Sequence, residues 1–203
     1  MSNASADELD WLLVSVSSAG APASVRVLAW RRLRGLGAVY LQQSVCLLPD
    51  QPRVRDAVER LLLRVTDEGG SGRLLHVRLT DPDQQQQLTE DFGRASNAEY
   101  DDLLGRVPGF LAELESERNR GRASLVEVEE NEADLQRYRS WFAKIQTRDY
   151  FRAPLGQTAQ QAIERCAAEL RRFEQEAFTA ETGPAETVAA PSPAQTAGRQ
   201  EGL

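Results

Sequence analysis

Lysine is almost missing from this 203-residue chain: Lys144 stands alone, and 23 of the 24 basic residues are arginine. A GC-rich coding sequence explains such a bias, so arginine abundance by itself does not point to phosphate binding. Cysteine is equally sparse. Cys46 and Cys166 lie far apart in unrelated patterns, which excludes a disulfide framework and any zinc-ligand spacing. The sole histidine, His76, has no partner with which to build a metal site and no evident nucleophile beside it, so it reads as structural. No run of about 18 apolar residues occurs, which excludes a membrane-spanning helix. The opening MSNASADELD is acidic and lacks the basic and apolar regions of a secretion signal. These absences together predict a reducing, cytoplasmic location, no membrane partner, no cofactor and no enzyme activity. The formal net charge of −7 adds a further exclusion: the molecule as a whole does not attract polyanions, so anion binding has to come from local clusters.

What is present reads as two kinds of architecture in succession. WLLVSVS at 11–17 is β-prone and ends in the turn-forming SSAGAP. From Ser24, a fair N-cap, to Leu36 the apolar residues Val25, Leu28, Ala29, Leu33 and Leu36 fall on one arc at 100° per residue, and Gly37 is a fair stop. AVYL and SVCLL follow as two paired strands separated by Gln42-Gln43, although Gln-Gln is not a favoured turn dipeptide. Asp50 and Pro52 open a second helix with Val54, Val58, Leu61, Leu62 and Val65 as its stripe, and RLLHVRL at 73–79 supplies a fourth strand. The order β-α-β-β-α-β over 11–80 predicts a ferredoxin-like sandwich with both helices on one face of an antiparallel sheet. Residues 1–10 are expected to be a flexible N-terminus.

Strand patterns then disappear. DPD at 81–83 caps a helix with proline in its first turn. Tyr100, Leu103, Val107, Leu111 and Leu114 keep a helical rhythm that Pro108-Gly109 should split. Leu135, Tyr138, Phe142 and Ile145 form another stripe, and Ile163, Cys166, Leu170, Phe173 and Ala177 a third. Residues 81–178 therefore read as an all-α half packed on the sandwich, giving an α+β protein. Residues 179–203, rich in Ala, Pro, Thr, Gly and Gln, read as a disordered tail.

Two basic faces stand out against the acidic total. Arg26, Trp30 and Arg34 are four apart on the first helix, away from its apolar arc, with Arg31 beside them; guanidinium groups flanking an indole suit phosphates while the ring stacks. Arg32 falls at the edge of the apolar stripe, which predicts partial burial and a need for a partner. RYRSWFAKIQTRDYFR at 137–152 holds five basic residues and one acid interleaved with aromatics, and places Arg137, Trp141, Lys144 and Arg148 along one side. Against these readings stands plain packing: the arginines of the first helix can pair with the run between Glu113 and Asp134, which holds eight acids against three arginines. A metal nuclease on this fold would want a carboxylate at the end of the first strand, where this chain has Ser15, Ser17 and Ser18. Central-strand aromatics of an RNA-binding sheet are missing too.

WLLVSVS, the VRVLAWRRLRGLGAVYLQQSVCLLP block, and WFAKIQTRDYF followed by CAAELRRFE together resemble the N-terminal domain of the ChrB family of chromate-resistance regulators. The helix-to-hairpin block is also similar to the ferredoxin-like domain of PaaX-type repressors and, more distantly, to CRISPR adaptation nucleases of the same fold. The ChrB resemblance spans about 11–178. It implies a DNA-binding transcriptional regulator of chromate resistance, with operator DNA as partner and chromate as effector; such regulators usually carry a further C-terminal domain. Arg26, Arg31 and Arg34 are then expected to meet phosphates, Trp30 to stack, and Lys144 and Arg148 to form a second basic patch. Paired arginines from both patches also suit a dianion such as chromate. The alternative is a protein-interaction or oligomerisation module, a homodimer included, in which the two faces are buried by each other or by a partner.

Overall fold

The computed structural model describes residues 9–121 and 124–182. Its elements are β1 (Asp10–Ser17), α1 (Ala23–Gly35), β2 (Val39–Gln42), β3 (Val45–Pro49), α2 (Pro52–Asp67), β4 (Ser71–Arg78), α3 (Pro82–Leu104), α4 (Val107–Asn119), α5 (Leu125–Gln146) and α6 (Leu155–Thr182). The first six follow the anticipated β-α-β-β-α-β succession. They form one four-stranded antiparallel sheet in the order β2-β3-β1-β4.

Alternation along β1 decides which residue faces which layer. Leu12 and Val14, with Cys46 and Leu48 of β3, are buried against Val25, Ala29 and Leu33 of α1 and Val54, Val58, Leu61 and Val65 of α2. Trp11 and Leu47 point to the opposite face, where Leu88 and Phe92 of α3 cover them. Trp11 is fully buried, with its ring 5.6 Å from Phe92 and 5.9 Å from Phe151. The sheet is thus clothed on both sides: α1 and α2 on one, α3 and the segment after α5 on the other. A third core joins α3 to α6, built from Tyr100, Leu103, Phe110, Leu135, Ile145 and the complete predicted stripe of α6, Ile163, Cys166, Leu170, Phe173 and Ala177. Each leucine, isoleucine and phenylalanine among these contributes about 1.5–3 kcal/mol on burial.

Local corrections have local causes. α1 starts at Ala23 behind Pro22, whose extended backbone (φ −57°, ψ 149°) already suits an N-cap, so Ser24 lies within the helix and does not cap it. The hairpin turn falls on Gln43-Ser44, one residue later than Gln42-Gln43, because a register irregularity between Tyr40 and Gln42 absorbs the extra residue. The helical break precedes Pro108: α3 ends at Leu104, and α4 restarts at Val107 so that proline occupies its first turn, where no helical hydrogen bond is lost. Asp81 does cap α3, accepting from the Asp83 backbone N–H at 2.9 Å. At the chain's ends, Leu9 already packs against the Trp11 cluster. α6 continues to Thr182, so the expected tail does not begin at 179; residues 1–8 and 183–203 lie outside the described residues.

Candidate functional site

The stretch from Trp11 to Pro49 contains four arginines, all on α1, and no acidic residue. Helical geometry fans them over the outer surface: at 100° per residue Arg26, Trp30 and Arg34 lie on one flank, Arg31 near the crest and Arg32 on the other flank. All four arginines are exposed. Arg32, expected to be partly buried, is exposed as well, because the buried arc of α1 is confined to Val25, Ala29 and Leu33. None of the four makes an ion pair among the described residues, so the acids between Glu113 and Asp134 do not neutralise them there. Trp30 is 47% exposed, and the Arg34 guanidinium carbon sits 5.2 Å from its ring centroid, within cation–π range.

Two concavities flank α1. Between α1, the end of β1 and the β2–β3 turn lies a cleft of about 540 Å³, bordered by Ser17, Arg26, Trp30, Tyr40, Gln43 and Ser44. Between α1 and α2 runs a groove of about 490 Å³ with Leu28, Leu36 and Leu61 at its base and Arg31, Arg32, Arg60 and Arg64 along its sides. Arg64 is paired with Glu68 at 2.8 Å, whereas Arg60 is exposed and unpaired among the described residues. Arg60 and Arg64 were missed in the sequence because α2 also carries Asp56, Glu59 and Asp67, with Glu68 just after it. Their i, i+4 spacing was the only signal, and it gains meaning once α2 lies beside α1.

The expected second patch does not form a comparable face. Arg148 is only 18% exposed, and its two nitrogens grip the two oxygens of Glu99, the Nε–Oε1 contact being 2.7 Å. Hydrogen bonding to Glu99 holds its guanidinium above the ordinary arginine pKa. Arg137 pairs with Asp134. Trp141 and Phe142 pack on the helical core, and Phe151 on the sheet. Lys144 is exposed and without an ion pair among the described residues. The fork of Arg148 is thus occupied by Glu99, unlike the forks of the α1 arginines among the described residues.

The basic-aromatic motif at 147–153 instead ties the two halves together. The Tyr150 hydroxyl donates to the Leu36 carbonyl at 2.5 Å, at the C-terminal end of α1. Arg53 of α2 donates to the Thr147 carbonyl and lies 5.5 Å over the Tyr150 ring. Asp149 accepts from the Ala153 N–H at 2.9 Å and from the Tyr100 hydroxyl at 3.2 Å. Gly37 permits this approach: its φ is +77°, and a Cβ there would stand 2.9 Å from that of Arg148.

Neither cysteine has the character of a sensing thiol. Cys46 is buried, and desolvation pushes its thiol up to about 12; burial raises Cys166 as well. His76 has a partner the sequence did not reveal: its Nδ1 lies 2.7 Å from Oδ2 of Asp50, whose Oδ1 accepts from Arg55 at 2.6 Å. Burial raises the Asp50 carboxyl, but hydrogen bonds from Arg55 and His76 overcome it and hold the group below the usual carboxylate range. This cluster ties β4 to the start of α2. Asp10, the first residue of β1, pairs with Arg78 at 3.1 Å at the other end of the strand from the serines.

Comparison with known proteins matches a stretch that takes in most of α1. Protein ChrB of Cupriavidus metallidurans is 31% identical over 92 residues, which cover 45% of this chain and 28% of that protein. The chain therefore matches well under a third of that relative's length. The family model described as "Protein ChrB, N-terminal" matches residues 26–184, from Arg26 of α1 to beyond the end of α6. The chain belongs to the family of ChrB N-terminal regions.

Proposed function

We propose that this chain is the DNA-contacting part of a chromate-resistance-associated transcriptional regulator, and that the outer face of α1 meets the phosphate backbone. The observation that carries the reading is the state of the α1 arginines. In a protein of charge −7, four guanidinium groups are exposed on one helix without an acidic partner among the described residues. Unpaired arginine forks suit phosphate and other oxyanions geometrically as well as electrostatically. Arg26, Arg31 and Arg34 serve as phosphate contacts, Trp30 as the stacking surface and Arg60 as an added contact from α2; Lys144 is peripheral and Arg148 structural. The strand order and the two helices on one face fit a ferredoxin-like sandwich, which here acts as the rigid platform for α1.

The test is binding of fluorescent promoter duplex from the chain's own operon by anisotropy. Arg26→Glu combined with Arg34→Glu should abolish binding with only a small change in melting temperature, since neither residue has an ion-pair partner among the described residues and the exposed Arg34–Trp30 contact contributes about 0.5–1 kcal/mol. Unchanged binding refutes the reading.

A second reading has its own support. Leu28, Leu36 and Leu61 at the base of the α1–α2 groove have no use for phosphate, whereas an acidic amphipathic helix would cover leucines and arginines together. Loss of a partner protein or of self-association, and not of DNA, in the same double variant would favour it.

A further inference from the structure

The cleft on the Trp30 flank has features that a phosphate-backbone face does not require. Its volume, about 540 Å³, falls in the range of small-molecule sites. No acidic residue lines it, in a chain whose acids outnumber its bases. Two aromatic side chains, Trp30 from α1 and Tyr40 from β2, border the same space. The Tyr40 hydroxyl makes no hydrogen bond among the described residues, and Arg26 at the margin is unpaired. Ser17, Gln43 and Ser44 add hydroxyl and amide groups able to donate or accept. Exposed indole, free guanidinium and mixed donor–acceptor side chains match one chemistry: a flat heteroaromatic ring with a polar edge, joined to an anionic group.

We propose that this cleft is a nucleotide site, taking a nucleobase against Trp30 and Tyr40, its edge toward Gln43 and Ser44, and its phosphate against Arg26. The site rests on the DNA reading for one of its two sources. The nucleotide comes either from an unpaired position in bound DNA or from solution as a free mononucleotide, and the same contacts serve both. Arg34 holds the indole in place by lying over its ring at 5.2 Å.

Calorimetric titration of the full chain with dAMP and with uncharged deoxyadenosine tests the site directly. Binding of dAMP is expected, with deoxyadenosine weaker by roughly tenfold or more, because the charge-assisted contact to Arg26 is lost. Ser44→Phe, which fills the cleft from the turn, should abolish dAMP binding while leaving a fully paired duplex bound as before. Arg26→Gln, at an exposed position with no partner among the described residues, should reduce dAMP to the deoxyadenosine level and guards against misfolding of the first variant. A parallel comparison of paired duplex with duplex carrying one unpaired adenine separates the sources: preference for the unpaired site identifies DNA, and equal duplex affinities with dAMP bound identify the free nucleotide. No dAMP binding together with no preference for the unpaired base overturns the site, as does dAMP binding unaffected by both variants. Arg31 does not line the cleft, so the loss of duplex affinity in Arg31→Gln bears on the backbone reading alone.

Discussion

Arg31 sits near the crest of α1, exposed, with no ion pair among the described residues and no part in the core. Replacing it with glutamine should therefore leave the fold alone and remove one phosphate contact. Binding to duplex DNA releases counterions, and the slope of log K against log salt is about −0.9 per phosphate neutralised. Arg26, Arg31 and Arg34 alone give a slope of about −2.7; adding Arg32 and Arg60 gives about −4.5. Between 50 and 200 mM salt these slopes correspond to affinity losses of about 40-fold and about 500-fold. Arg31→Gln should make the slope shallower by about 0.9 and weaken binding to every sequence alike, since a phosphate contact carries no base information. The assay is anisotropy of a labelled duplex at four salt concentrations for the wild type, Arg31→Gln and Arg148→Gln. The last is the control. Its guanidinium is held by Glu99, so its loss should cost about 1–2 kcal/mol of stability and leave the slope untouched. A slope near zero, or one that moves with Arg148 and not with Arg31, refutes the assignment of α1.

Other outcomes follow from the ties around this face. Asp50 has a folded-state pKa below its unfolded value of about 3.9, so its contribution to stability is complete above that pH and lost as pH falls through the folded value. The stability gap between wild type and Asp50→Asn should be constant above about pH 5 and close below about pH 4; a gap unchanged at pH 3 counts against the cluster. With its pKa near 12, Cys46 is thiolate to roughly one part in ten thousand at pH 8, so the native protein should leave it unmodified by a thiol reagent until denaturant is added. Rapid native labelling would contradict its burial. Tyr150→Phe removes the hydroxyl that donates to Leu36 and should cost about 1 kcal/mol, lowering the melting temperature by a few degrees. Gly37→Ala should cost more than Tyr150→Phe, because it forces both a left-handed backbone and a clash with Arg148; equal melting temperatures would deny the close approach.

The sequence by itself determined the elements and their burial pattern. The continuous apolar runs of β1 and β3 and the helical stripes of α2 and α6 are direct consequences of which side chains leave water, so Val54, Val58, Phe173 and Ala177 were legible as core before any topology was known. The outward position of Arg26, Trp30, Arg31 and Arg34 was legible for the same reason, as the complement of a buried arc. Tertiary structure alone decided which of the two basic faces stays free. Helical spacing gives the direction of a side chain from its own axis and nothing about what lies opposite, so RYRSWFAKIQTRDYFR and VRVLAWRRLRG looked alike. Packing then set Glu99 against Arg148 and turned Phe151 onto the sheet, while nothing acidic among the described residues reached α1. Arg60, the cleft beside Trp30 and the aspartate partner of His76 were likewise invisible, because each needs two segments distant in sequence to be brought together. Local periodicity follows from the solvent preference of each residue; neutralisation of a charge depends on its neighbours in space.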